Sequence, residues 1–174
     1  MYITVLTIKS QFFFGERIIL RMKVLFVCTG NTCRSPMAAG YLAHLCRING
    51  MDHSGITSAG IAAPEGRCAN PKACRTAAEY GFDLTAHTSR TASVDMLKEQ
   101  DLIIVLSRSH QTALLQIAPE TAGKIHLLLE FSPAKGGDVA DPFGGTMETY
   151  RTCFEQMKQP IEEIFKNFFN RTKQ

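Results

Sequence analysis

VLFVCTGNTCRS, Val24 to Ser35, is the stretch from which the fold reads outward. Val24-Leu25-Phe26-Val27 is a short, uniformly apolar run, the pattern of a strand buried on both faces. It ends at Cys28, and Thr29-Gly30-Asn31-Thr32-Cys33 has the composition of a tight loop. Arg34 and Ser35 follow, and Pro36 suits the first turn of a helix, where its missing N–H costs nothing. A strand, a loop and a helix N-terminus, with a thiol at one end and a guanidinium at the other, make a site for an oxyanion.

Five residues separate Cys28 from Arg34. A loop of that length lets successive backbone N–H groups turn inward as a nest for a phosphate-like anion, and the helix adds its positive end. Arg34 closes the ring with a planar fork suited to two oxygens. The same positive surroundings favour the thiolate of Cys28, and the Ser35 hydroxyl is placed to donate to it. Thr29, Gly30, Asn31, Thr32, Cys33 and Ser35 are thus the candidate anion-binding and thiolate-tuning residues. Gly30 is assigned a close backbone approach or a positive φ, and Asn31 a left-handed conformation. No Gly-Lys-Ser/Thr follows, which excludes the nucleotide-binding phosphate loop.

The remaining chain supplies the setting. At 174 residues with 45% hydrophobic and 20% charged residues, it has the size and balance of one globular domain. A net charge of +3 is not the footprint of a nucleic-acid binder. Six cysteines without paired CxxC or Cys/His spacing argue against zinc and for reduced thiols in a cytoplasmic protein. Cys46 and Cys153 read as packing residues. No metal and no cofactor is expected, and the chain is expected to act as a monomer without a membrane. Residues 1–22 form an N-terminal extension of unknown role, too interrupted by polar residues to span a bilayer or serve as a signal peptide. Met22-Lys23, directly before the strand, has the look of a natural start, and 23–174 is the functional domain.

Helical spacing covers Pro36 to about Asn49, ahead of Gly50; a second strand runs from His53 to Ala59. Pro71 to Tyr80 follows as a helix capped by Asn70, then a short helix from Val94 to Glu99. Asp101–Leu106 is a β-branched buried strand, Ser107–Ile117 a helix, and Lys124–Leu129 a fourth strand. Thr146 to about Phe168 is a long amphipathic helix that Pro160 should kink or interrupt. Apolar strands alternating with helices make an α/β domain of three layers, a parallel sheet with helices on both faces. Such sheets bind ligands at the carboxyl ends of their strands, where Cys28 lies.

A thiolate nucleophile needs a proton donor for its leaving group. The Gly/Pro/Asp-rich loop Phe131–Gly145 offers Asp138 and Asp141, with Glu130 and Glu148 on either side. Asp141-Pro142 is the best candidate because proline stiffens the backbone there. Spacing alone does not separate Asp141 from Asp138.

The loop CTGNTCRSP, the Ser58-Ala59-Gly60 triplet, the segment around His87 and Asp141-Pro142-Phe143-Gly144-Gly145 together resemble the low-molecular-weight protein tyrosine phosphatase family. The similarity runs from about Lys23 to the final helix. It implies a four-stranded sheet in the order 2-1-3-4 with the phosphate loop after the first strand, and phosphorylated proteins as substrates. It also implies that Cys28 forms a phosphocysteine, that Arg34 binds the phosphoryl group, and that Asp141 protonates the leaving group and then activates water. Asn31, Ser58 and His87 match positions of a buried network bracing the loop.

Within the family, Thr32 and the DPFGG segment resemble the protein-arginine-phosphatase branch, where tyrosine-directed members carry a larger aliphatic residue and two aromatics. The expected substrate is therefore phosphoarginine, with phosphotyrosine as the alternative and Thr32 and Phe143 as specificity residues. Ile61-Ala62-Ala63-Pro64-Glu65-Gly66 departs from both branches by lacking an aromatic. That leaves Phe143 as the aromatic wall and Glu65, Asp138 or Asp141 to engage a guanidinium. Related arsenate reductases place their relay cysteines elsewhere than Cys68 and Cys74, and a non-catalytic phosphate-binding module would not need the complete set of nucleophile, arginine and acid. Cys33, five residues from Cys28, is a candidate for a reversible disulfide with it, or else a loop-packing thiol.

Overall fold

Side chains along β3 (Val24–Cys28) alternate between two cores: Val24, Phe26 and Cys28 face one, Leu25 and Val27 the other. All five are buried, which is what an uninterrupted apolar run encodes. A computed structural model of the chain describes residues 11–14, 17–20, 22–133 and 136–170.

β3 lies between β4 (Ile56–Gly60) and β5 (Leu102–Val105), and β6 (Ile125–Leu127) completes the sheet beyond β5. Every pairing is parallel, in the order β4-β3-β5-β6, the expected 2-1-3-4 arrangement counted from β3. Register sets Cys28 beside Gly60, so the loop that follows Cys28 leaves the sheet level with the end of its neighbour.

On the Val24/Phe26 face the sheet is covered by α1 (Arg34–Ile48), α2 (Pro71–Glu79) and α5 (Met147–Ile164), through Met37 and Leu42, Ala73 and Ala77, and Tyr150, Phe154 and Ile161. On the other face α3 (Val94–Lys98) and α4 (Arg108–Ile117) contribute Leu97 and Leu114. Each large apolar side chain buried this way contributes about 1.5–3 kcal/mol, and the sheet is held from both sides.

Four details differ from the sequence reading. β4 begins at Ile56 rather than His53, because Asp52 accepts the Ser54 N–H and turns the chain there. β6 ends at Leu127, where Leu128–Phe131 tighten into a 3₁₀ turn. Pro160 does not interrupt α5: the helix runs on to Ile164 before a π-helical turn, Phe165–Phe169. One ladder hydrogen bond is lost at Pro160, and burial of Pro160, Met157 and Ile161 offsets it. Within the extension, β1 (Gln11–Phe14) and β2 (Arg17–Leu20) pair antiparallel as a separate two-stranded sheet. The rest of the extension before Met22, including the apolar run Ile3–Ile8, lies outside the described residues. Among the described residues no helix is long and apolar enough to cross a membrane.

Candidate active site

The thiol of Cys28 lies 3.0 Å from the Ser35 hydroxyl, across the loop that joins β3 to α1. Ser35 accepts the side-chain N–H of Asn31 at 2.8 Å, leaving its own proton for the sulfur or for the Ala59 carbonyl at 3.3 Å. α1 opens with no side-chain cap and no acidic residue in its first turn, so its N-terminal N–H groups face the loop unneutralised.

Asn31 is the hub of the brace. It is fully buried and takes the left-handed conformation, φ 52°. Its amide nitrogen donates to Ser35 and, at 2.9 Å, to Ser58; its amide oxygen accepts the Arg90 backbone N–H at 3.1 Å. Its carbonyl accepts His87 Nε2 at 2.7 Å. Burial, and the nearby Arg90, push the His87 pKa down, so His87 is held as a neutral donor. The expected Asn31–Ser58–His87 network is therefore assembled, with Arg90 added to it through a further bond to the Ser58 carbonyl.

Of the two alternatives for Gly30, the positive φ is corrected: Gly30 does not take one, and a Cβ there would meet its nearest protein atom, Thr32 Oγ1, only at 3.9 Å, on the side of the cleft. The glycine that the loop demands is Gly60. A Cβ on it would stand 2.4 Å from the Thr29 carbonyl oxygen and 3.0 Å from the Asn31 nitrogen.

Arg34 is buried and reaches across to the acidic loop, donating to the Val139 carbonyl at 3.2 Å and to Asp141 Oδ2 at 2.5 Å. Its Nε has no partner, alone among the buried side-chain nitrogens and oxygens of the described residues. A buried unpaired guanidinium N–H at an anion nest is a donor for an oxyanion. Asp141 is 49% exposed at its side chain and accepts the Phe143 N–H through Oδ1. Asp138 faces elsewhere, accepting the Arg108 N–H at 2.9 Å, and Glu65 is tied to the Thr91 N–H. Of the three carboxylates considered for a guanidinium, Asp141 alone lines the cleft.

Two further groups complete the floor. His110, 2% exposed, bonds Thr29 Oγ1 through Nε2 and Ser107 through Nδ1, each at 2.9 Å. Burial, reinforced by Arg34, lowers its pKa to about 4. Cys33 is a free buried thiol 3.3 Å from the Tyr150 hydroxyl, and burial raises its pKa. A bridge to Cys28 would require Cys33 to leave that partner and ionise against its surroundings. Among the described residues no group of side chains is arranged to hold a metal ion.

These parts meet in a cleft of about 600 Å³, with Cys28, Arg34, Asp141 and Phe143 among its walls. Thr29, Gly30, Thr32 and Cys33 line it with them; Asn31 and Ser35 stand behind. Sequence reasoning missed His110, Arg90 and Arg67, the last of which also borders the cleft. No local motif marks any of the three.

The chain matches the family model described as "Low molecular weight phosphotyrosine protein phosphatase" over residues 23–174. A protein-arginine-phosphatase of Geobacillus stearothermophilus is 34% identical over 142 residues, 82% of this chain and 93% of the relative. The crystal structure of a low molecular weight protein tyrosine phosphatase from T. tengcongensis is 37% identical, covers 85% of this chain and 100% of its own, and superposes with a TM-score of 0.77. A mutant of the arginine phosphatase YwlE with a phosphorylated active-site serine is 27% identical, covers 86% of this chain and 97% of its own, and gives a TM-score of 0.79. Overall identity does not separate the two substrate branches.

Proposed function

The chain belongs to the low molecular weight phosphotyrosine protein phosphatase family, and we propose that within it the enzyme hydrolyses phosphoarginine in proteins, with residues 23–174 as the catalytic unit. The supporting observation is the Thr32 hydroxyl on the wall of the cleft. Its one side-chain partner among the described residues is the Cys33 sulfur at 3.7 Å, a weak sulfur hydrogen bond that leaves the hydroxyl capacity for a second bond to a polar leaving group. A branched aliphatic at that point would favour a phenyl ring and leave a guanidinium unpaired.

In this mechanism Cys28, as thiolate, attacks phosphorus and the P–N bond breaks. Asp141 gives its proton to the departing guanidine nitrogen. The phosphoryl group then sits on the Cys28 sulfur, its oxygens held by loop N–H groups and by Arg34. Arg34 Nε is already free for this; Nη2 exchanges Asp141 for a phosphoryl oxygen as the dianion enters, which releases the carboxyl toward the leaving group. Water next attacks phosphorus while Asp141 takes its proton. The S–P bond breaks, and the Ser35 hydroxyl donates to the returning thiolate. A reaction that depends on a free thiolate suits the reducing cytoplasm, with phosphorylated proteins met by a monomer.

Side-by-side hydrolysis of phosphoarginine and phosphotyrosine peptides tests the substrate. Wild type is expected to prefer phosphoarginine, and Thr32→Ile to shift the ratio toward phosphotyrosine by about tenfold or more, the scale of one lost polar contact. A strong wild-type preference for phosphotyrosine would refute the arginine assignment while leaving the mechanism standing.

A further inference from the structure

Three charged side chains line the cleft. Arg34 and Asp141 are bound to each other. The third, Arg67, makes no ion pair or side-chain hydrogen bond among the described residues: it is bonded through its backbone alone. That backbone is firmly placed. Its N–H donates to Ser89 Oγ at 3.0 Å, its carbonyl accepts the Ser89 N–H at 2.7 Å, and the Gly66 N–H donates to the Ser89 carbonyl at 2.8 Å. Ser89 is buried and its hydroxyl also donates to the Pro64 carbonyl. The adjacent carboxylate that would most simply neutralise Arg67 belongs to Glu65, and it is committed to the Thr91 N–H.

A rigid rim thus displays an unpaired guanidinium beside a cleft whose floor already has its own arginine for the phosphoryl group. Arg67 is therefore surplus to phosphate binding. A cationic leaving group is repelled from it and favoured near Asp141. Neighbouring residues of an extended substrate are spaced by about 3.3–3.6 Å, so a long arginine on the rim is within reach of a side chain flanking the target.

We propose that Arg67 docks a carboxylate next to the phosphorylated residue, so that the enzyme favours phosphorylation sites in acidic sequence. This rests on reading the cleft as a phosphopeptide site, whichever residue carries the phosphoryl group.

The test uses one phosphopeptide backbone with glutamate, glutamine or lysine flanking the target, made in phosphoarginine and phosphotyrosine series. Wild type should show kcat/KM about 5- to 10-fold higher for the glutamate than for the lysine peptide, expressed in KM, as expected for attraction replaced by repulsion at an exposed site. The ratio should shrink at high salt. Arg67→Ala should bring it to about twofold or less, Arg67→Lys should retain most of it, and Arg67→Glu should invert it. Because each result is a ratio within one variant, loss of folded protein does not imitate it. A wild-type ratio near one, or the same ratio in Arg67→Glu, overturns the docking role alone. No Cys28-dependent phosphate release from any peptide or from para-nitrophenyl phosphate would overturn the phosphatase reading and the docking role with it.

Discussion

The two walls of the cleft are built on opposite terms. The loop from Cys28 to Ser35 is sunk into the fold: Asn31 and Ser35 are fully buried, and bonds from β4, His87, Arg90 and His110 reach it from outside. The segment from Asp138 to Gly145 is exposed over most of its length and carries Phe143 at 74% exposure. Its ties to the body gather at its ends, where Asp138 accepts the Arg108 N–H, Val139 bonds Leu106 and Arg34, Gln156 bonds the backbone at 138 and 140, and Lys72 reaches the Gly145 carbonyl; between them, residues 141–144 are bonded to the body through Arg34 and Asp141. The chemistry explains the contrast. The wall that holds developing negative charge works best when its dipoles are fixed beforehand. In the proposed mechanism the wall that delivers a proton parts from Arg34 to admit the substrate, which fewer fixed bonds at Asp141 would allow.

Damage to the rigid wall should have the largest effect. Gly60→Ala drives a methyl against the Thr29 carbonyl and the Asn31 nitrogen, which are backbone atoms and cannot swing aside. Activity on any phosphate ester should fall beyond detection, together with a loss of stability of about 1–3 kcal/mol; denaturant melts and turnover read both. A Gly60→Ala enzyme within twofold of wild type would show that the loop is not pinned.

Asp141→Asn should spare the fold and lower kcat by about 10²–10⁴ for peptide substrates. The loss should be smaller for para-nitrophenyl phosphate, whose leaving group needs less protonation. Equal losses on both substrates would remove Asp141 from the proton-transfer role.

His110 joins the loop after β3 to α4, and its effect should appear in pH dependence. Its pKa is lowered in the folded protein to about 4, below the ordinary histidine value. Between those two values the unfolded chain binds a proton that the folded one refuses, so stability rises with pH across the window and is lost as pH falls through it. His87 acts in the same direction. His110→Gln should flatten the fall in denaturation free energy from neutral pH to about pH 4 by roughly 2–3 kcal/mol. An unchanged slope would mean that His110 is already charged in the native state. The smallest effect is expected at the outer wall, where Phe143→Ala should raise KM for peptides only a few-fold and leave stability within about 0.5 kcal/mol.

What the sequence disclosed follows from how far apart the partners lie. Cys28, Arg34 and Ser35 are contiguous with the strand and helix that place them, so the local pattern was enough. The sheet was equally readable because β3 and β5 are apolar on both faces. Asn31, Ser58 and His87 emerged through family resemblance, since no spacing rule joins residues so far apart. His110 and Thr29 are 81 positions apart, and a histidine in the first turn of a helix carries no mark of what the fold will set beside it. Spacing alone does not separate Asp138 from Asp141, and the following proline is what favours Asp141; the fold parts them further by giving one to the Arg108 N–H and the other to Arg34. Pro160 was read by its usual cost, and the burial that offsets that cost is a property of tertiary packing.

The most direct measurement is rapid quench of a single turnover with a phosphoarginine peptide, followed by peptide-level mass spectrometry of the enzyme. The phosphoryl group should be found on Cys28 at early times and decay as inorganic phosphate appears, with Asp141→Asn slowing both phases. Consumption of the peptide at the wild-type rate with no phosphoryl group on Cys28 at any time would contradict the account.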